Sequence, residues 1–176
     1  ELCAASGDLA VTYQKGVRAF SDGGCRYLQM DDTAWSMMCD AREREHSRER
    51  GDDPDKLPPI YAEMTNKALV GKPDDMTITM HSCRGNFRST FIASGGYEFV
   101  AEQLLGNTNL DGYFLEYDTD RSGGFEPLRF VPKGKKCVVL GLVTSKSGTM
   151  ETRESIKRRK DEAPKEVATD KPGRSP

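Results

Sequence analysis

The run Cys137-Val138-Val139-Leu140-Gly141-Leu142-Val143 constrains this chain more than any other segment, because it holds seven consecutive residues without a charge. An unbroken apolar run of strand length suits a parallel strand covered on both faces, so a strand is predicted over Lys136 to Val143. Weaker strand signals precede it at Cys25 to Met30, Met76 to Met80 and Asp111 to Glu116. Helical spacing fills the gaps between them. Residues 8–22 carry an apolar stripe of Leu9, Val11, Tyr13, Val17 and Phe20, stopped by Gly23-Gly24. Leu57 to Leu69 reads as a helix opened near Pro58-Pro59 and closed by Gly71-Lys72-Pro73. Gly95 to Leu105 and residues 150–162 are also predicted helical, with Phe125 to Phe130 a short helix or turn. The charge run Ala41 to Arg50, closed by Gly51-Asp52-Asp53-Pro54, reads as a solvated helix or loop, and His46 within it as a surface histidine. Helix and strand in alternation with short connections predict an α/β fold built on a parallel sheet.

In such sheets functional groups gather at the C-terminal ends of the strands. Each predicted strand here ends in polar residues: Asp31-Asp32, His81-Ser82-Cys83, Glu116-Tyr117-Asp118 and Thr144-Ser145-Lys146. Turn chemistry accounts for Asp31 and Asp118. It accounts less well for Glu116, which follows Tyr113-Phe114-Leu115 with no turn residue between. His81 and Cys83, two residues apart on a strand, project to the same side of the sheet. Imidazole and thiolate are preferred zinc ligands. One of only two histidines and one of five cysteines are committed to this pair.

Length and charge narrow the alternatives. A chain of 176 residues is the size of one domain and long enough for a real core. A net charge of −2 argues against general binding to nucleic acid or anionic membranes. No apolar stretch reaches bilayer-spanning length, and the first residues lack a basic-then-apolar leader. Five irregularly spaced cysteines fit free thiols in a reducing, cytoplasmic setting. Apart from Cys83, they are expected to be small buried hydrophobes. The polar tail, residues 164–176, is expected to be loose, leaving residues 1–163 as the folded unit. The start at Glu1 suggests that N-terminal sequence is missing or trimmed.

Over roughly residues 8–163 the chain resembles the cobalamin-independent methionine synthase superfamily, in its shorter single-barrel members. The segments that carry the resemblance begin with Gly24-Cys25-Arg26-Tyr27-Leu28-Gln29-Met30-Asp31-Asp32-Thr33 and Thr79-Met80-His81-Ser82-Cys83-Arg84-Gly85-Asn86-Phe87-Arg88-Ser89. Phe114 to Asp118 and Val139 to Lys146 complete them. The resemblance implies a (β/α)8 TIM-type barrel, of which about the C-terminal half, roughly four of eight strands, is visible. It also implies a zinc-dependent methyltransferase (Zn2+) that moves a methyl group from a methyltetrahydrofolate polyglutamate to homocysteine. His81, Cys83 and Glu116 map onto three zinc ligands, Asp31 onto the group that holds the homocysteine amine, and Asp32 beside it.

The chain also departs from the family pattern. The second zinc cysteine follows a Ser-Pro pair in the family, whereas this sequence closes on Ser175-Pro176. Cys137 begins a strand and is no substitute. Lys146 falls near the acid histidine of the larger synthases, as proton donor or anion binder. The N-terminal strands that build much of the folate pocket are missing. A half barrel would have two open edges and a bare apolar face, to be covered by a second copy, by the missing remainder of the barrel, or by more of a longer protein. Two other readings stand beside methionine synthesis: a zinc-dependent alkyl-thiol transferase with another electrophile, and a truncated, non-catalytic remnant.

Overall fold

A computed structural model describes residues 2–134 and 136–163; the polar tail lies outside the described residues. The chain is a four-stranded, all-parallel sheet in sequence order, with its crossovers packed on one face. The strands are β1 (Tyr27–Asp31), β2 (Thr77–Ser82), β3 (Gly112–Glu116) and β4 (Cys137–Gly141). The helices are α1 (Leu2–Asp22), α2 (Ala34–Cys39), α3 (Ala41–Glu49), α4 (Leu57–Ala68) and α5 (Arg153–Glu162). This α/β arrangement is consistent with part of a TIM-type barrel.

Strand alternation decides which side chains meet the helices. Ile78 and Met80 of β2 and Tyr113 and Leu115 of β3 point into a core shared with Val17 of α1, Trp35 of α2, Ala62 of α4, Leu104 and Leu105. Each fully buried aliphatic side chain there contributes roughly 1.5–3 kcal/mol. The alternate residues form the other face of the sheet, where Tyr27 is 51% and Val139 40% exposed. The expectation that β4 is covered on both faces is therefore corrected: its burial alternates between exposed and half-buried. A continuous apolar run has no period to report, so the sequence did not reveal that only one side meets helices.

Two other expectations change, and the charge run takes the helical of its two readings. The charge run is a helix set off from α2 by Asp40, whose carboxylate caps α3 by accepting from Arg42 N. His46 lies on its exposed surface, 3.7 Å from Glu43. The predicted helix over Gly95 to Leu105 is instead a 3-10 turn at Tyr97–Phe99 followed by a π turn at Glu102–Gly106. The wide π turn lets consecutive Leu104 and Leu105 both be fully buried. Asn66 of α4 pins its end, donating to Asn107 O and accepting from Asn109 N. The cysteines also divide: Cys39 is buried, Cys25 half-buried and Cys137 exposed, all as free thiols. Cys137 is exposed because it begins β4 on the bare face.

Candidate metal centre

Parallel register brings the C-terminal strand ends side by side. Asp31 of β1 is paired with His81 of β2, and Glu116 of β3 with Gly141 of β4. β2 runs on through His81 and Ser82, so Cys83 lies just past its end. A cleft of about 310 Å³ opens there, lined by His81, Cys83, Asn86, Glu116, Asp118 and Lys146 among others. The predicted convergence of strand ends is present.

The contacts within the cleft are more particular than the sequence implied. Asp31 is the last residue of β1, and its Oδ1 lies 2.8 Å from His81 Nδ1. A carboxylate can only accept, so Nδ1 carries a proton, and in the neutral imidazole Nε2 is then the nitrogen open to a ligand. Asp31 thereby orients His81, a role that strand register shows and linear sequence does not. Asp32 stands just before the Thr33 N-cap of α2 and accepts from Ala34 N at 2.8 Å. Burial raises its pKa above the usual carboxylate value.

Glu116 is buried, and both its oxygens are engaged. Oε1 accepts from Arg121 Nη2 at 2.5 Å, and Oε2 from Arg84 N at 2.9 Å and Lys146 Nζ at 3.0 Å. Burial pushes its pKa up, but the Arg84 amide, Arg121 and Lys146 outweigh it, leaving the pKa below the ordinary value. Asp118 is buried beside it, 3.1 Å from Arg121 and 3.7 Å from Lys146. The strand ends thus hold a compact network of two carboxylates and two cations.

Arg84 is the hub that fixes the surrounding loops, and it is almost wholly buried. Its guanidinium donates to Gly95 O from Nε at 2.9 Å and Nη2 at 2.6 Å, to Glu116 O at 3.0 Å and to Ser122 O at 3.3 Å. It stacks 4.3 Å above the ring of Tyr97. The Tyr97 hydroxyl donates to Ser82 O at 2.7 Å and accepts from Glu116 N at 3.0 Å. One buried cluster therefore joins the ends of β2 and β3. Sequence reasoning missed Arg84 and Arg121; the nearest signals were adjacency to Cys83 and the i, i+3 spacing from Asp118.

The residue types suit zinc: an imidazole nitrogen, a thiol and a carboxylate share one cleft. Their placement is incomplete. Among the described residues no three His, Cys, Asp or Glu side chains stand together so as to hold a metal ion. The predicted triad of His81, Cys83 and Glu116 is gathered into one cleft but not around one point. The physical reason is at Glu116, whose oxygens are directed to Arg121, Lys146 and the Arg84 amide. The donor chemistry fits zinc, and the carboxylate would have to change partners to join.

Fold and cleft together describe a parallel α/β protein with a His-x-Cys pair and a buried carboxylate at the strand ends. No family model matches the chain. It is 56% identical over 163 residues to "Uncharacterized protein YxjH" of Bacillus subtilis (strain 168), a match covering 93% of this chain and 43% of that protein. "Uncharacterized protein YxjG" of the same organism is 49% identical over 163 residues, with the same coverage. A crystal structure described as the "Putative Vitamin-B12 Independent Methionine Synthase" from Listeria monocytogenes superposes with a TM-score of 0.73 at 46% identity, covering 92% of this chain and 44% of that one. The chain spans less than half the length of these relatives. Among the described residues no helix is long and apolar enough to cross a membrane.

Proposed function

We propose that the chain is the metal-site part of a zinc-dependent, cytoplasmic S-methyltransferase that methylates homocysteine, with a methyltetrahydrofolate polyglutamate as donor. The observation that carries this reading is the cleft itself, where the His81–Cys83 pair and Glu116 share the strand ends of a parallel sheet. The named Listeria neighbour supports it. In the proposal, His81 Nε2, Cys83 Sγ and Glu116 hold zinc, with further ligation from outside the described residues. Bound zinc would favour the thiolate of a substrate whose free thiol, with a pKa near 8.5, is mostly protonated and unreactive at neutral pH.

The chain's own residues then have separate tasks. Asp31 fixes the His81 tautomer through Oδ1, and at 72% side-chain exposure it can meet the substrate ammonium with its other oxygen. Asp32, tied to the start of α2, stands next to it as a second negative charge. Lys146 is held against Glu116 and Asp118, which suits charge balance better than proton donation. The same ion pairs favour one rival reading, a non-catalytic binding module in which Glu116 never leaves its cations.

The test is methionine formation from homocysteine and methyltetrahydrofolate polyglutamate. It is run on the chain alone and mixed with the part of YxjH outside the match, with zinc present or chelated. Zinc-dependent methionine that disappears in His81→Ala supports the proposal. Product only with other methyl donors would assign a different electrophile, and no thiol methylation under any condition would sink the reading.

A further inference from the structure

Glu116 has three partners, and they differ in how firmly each is held. The Arg84 amide belongs to the backbone. Arg121 is anchored on several sides: it also reaches Asp118 at 3.1 Å and Ala93 O at 3.3 Å, and it lies 4.2 Å over the ring of Phe91. Lys146 is different. It comes from the loop after β4, lines the same cleft as His81 and Cys83, and meets Glu116 Oε2 at 3.0 Å and Asp118 at 3.7 Å through one ammonium on a flexible stem. Its neighbour Ser145 ties that loop to Asn86 of the post-β2 loop at 2.6 Å.

Resting on the zinc reading above, we infer that Lys146 is an exchangeable internal cation that competes with zinc for Glu116. The charge balance argues for exchange rather than simple addition. With Arg121 and Lys146 facing Glu116 and Asp118, and the Arg84 guanidinium on Glu116 O, the cluster carries no net negative charge and offers a dication little attraction. Once Lys146 swings away, one positive charge leaves the cluster, Glu116 and Asp118 are left to share Arg121, and Oε2 loses one of its two donors. Zinc and ammonium seek the same carboxylate lone pairs, so each weakens the other's hold.

The experiment measures zinc affinity by competition with a chromophoric chelator at neutral pH. The proteins are the wild-type chain, Lys146→Met, Lys146→Arg, Glu116→Gln and the Glu116→Gln/Lys146→Met double variant. Lys157→Met, an exposed charge on α5, controls for general field effects. Lys146→Met should bind zinc about tenfold tighter or more, the scale of one charge-assisted hydrogen bond. Lys146→Arg should bind more weakly than wild type, because a guanidinium grips a carboxylate with two donors. In the Glu116→Gln background the gain should vanish to the level of Lys157→Met.

A Lys146→Met affinity no higher than that of Lys157→Met would overturn the inference, as would a gain that survives Glu116→Gln. Should Lys146→Met fail to fold, Lys146→Arg decides: affinity equal to or above wild type refutes competition. His81→Ala and Cys83→Ala separate the two readings. Weaker binding in those variants without a Lys146 effect keeps the zinc site and removes the competitor. A Lys146 effect without any loss in those variants does the reverse, and no zinc binding in any protein rejects both.

Discussion

Replacing Arg84 tests whether one buried side chain holds the ends of β2 and β3 in place. Its guanidinium satisfies the carbonyls of Gly95, Glu116 and Ser122. Bonds from a charged donor contribute about 1.5–3 kcal/mol each, and a buried carbonyl left unpaired costs about 1–3 kcal/mol. Arg84→Met keeps most of the apolar stem but removes every donor and the stacking on Tyr97. Neighbouring groups can recover part of the loss, so a net cost of about 4 kcal/mol is expected. Against a domain stability of about 5–15 kcal/mol and a urea slope of about 1–3 kcal/mol per molar, the unfolding midpoint should fall by roughly 2 M. Arg84→Lys restores the charge without the fork and should recover about half of the loss. The assay is urea unfolding followed by circular dichroism, with the slope as the check on cooperativity. A loss below about 1 kcal/mol at an unchanged slope would refute the hub assignment.

Three further outcomes follow from the packing around the cleft. Tyr97→Phe strips the hydroxyl that bridges Ser82 O and Glu116 N, and thermal melting should show a loss of about 2 kcal/mol. Gly95→Ala should cost about 2–4 kcal/mol in the same melt, because φ there is +105° and a Cβ would stand 2.5 Å from Cys39 O. Asp40 supplies the pH dependence. Bonding from the Arg42 side chain, then from the Arg42 and Ser94 amides, holds its carboxyl well below the usual range despite burial. A depressed folded pKa stabilises fully above the unfolded value, about 3.9, and is lost as pH falls toward the folded value. Asp40→Asn should therefore be less stable at neutral pH and show a shallower acid decline below about pH 4. An acid limb identical to wild type would remove Asp40 from the account.

The parts of the molecule that were legible in sequence are those that repeat with a period. The Pro-opened α4 and the strands through Ile78 and Leu115 were visible because burial on one side leaves a pattern, whereas the α1 stripe is corrected: Leu9, Val11, Tyr13 and Phe20 are exposed, and Val17 with Ala10 makes the buried side. The bare face of β4 was hidden because Val138 to Val143 is apolar at every position but Gly141. The π turn was hidden too, since Leu104 and Leu105 are adjacent and fit a helix face or a wide turn equally well. At the site, residue type and strand-end position were enough to bring His81, Cys83, Glu116 and Lys146 into one cleft. Partner choice was not legible. That Asp31 serves His81 depends on β1–β2 register, and that Glu116 faces Arg121 and Lys146 depends on loops with no spacing rule.

Zinc content of the purified chain tests the central claim most directly. Elemental analysis after dialysis against trace zinc should give about one zinc per wild-type chain, with His81→Ala and Cys83→Ala each losing it. Zinc absent from the wild type, or retained in full by either variant, would contradict a metal site built on the His81–Cys83 pair.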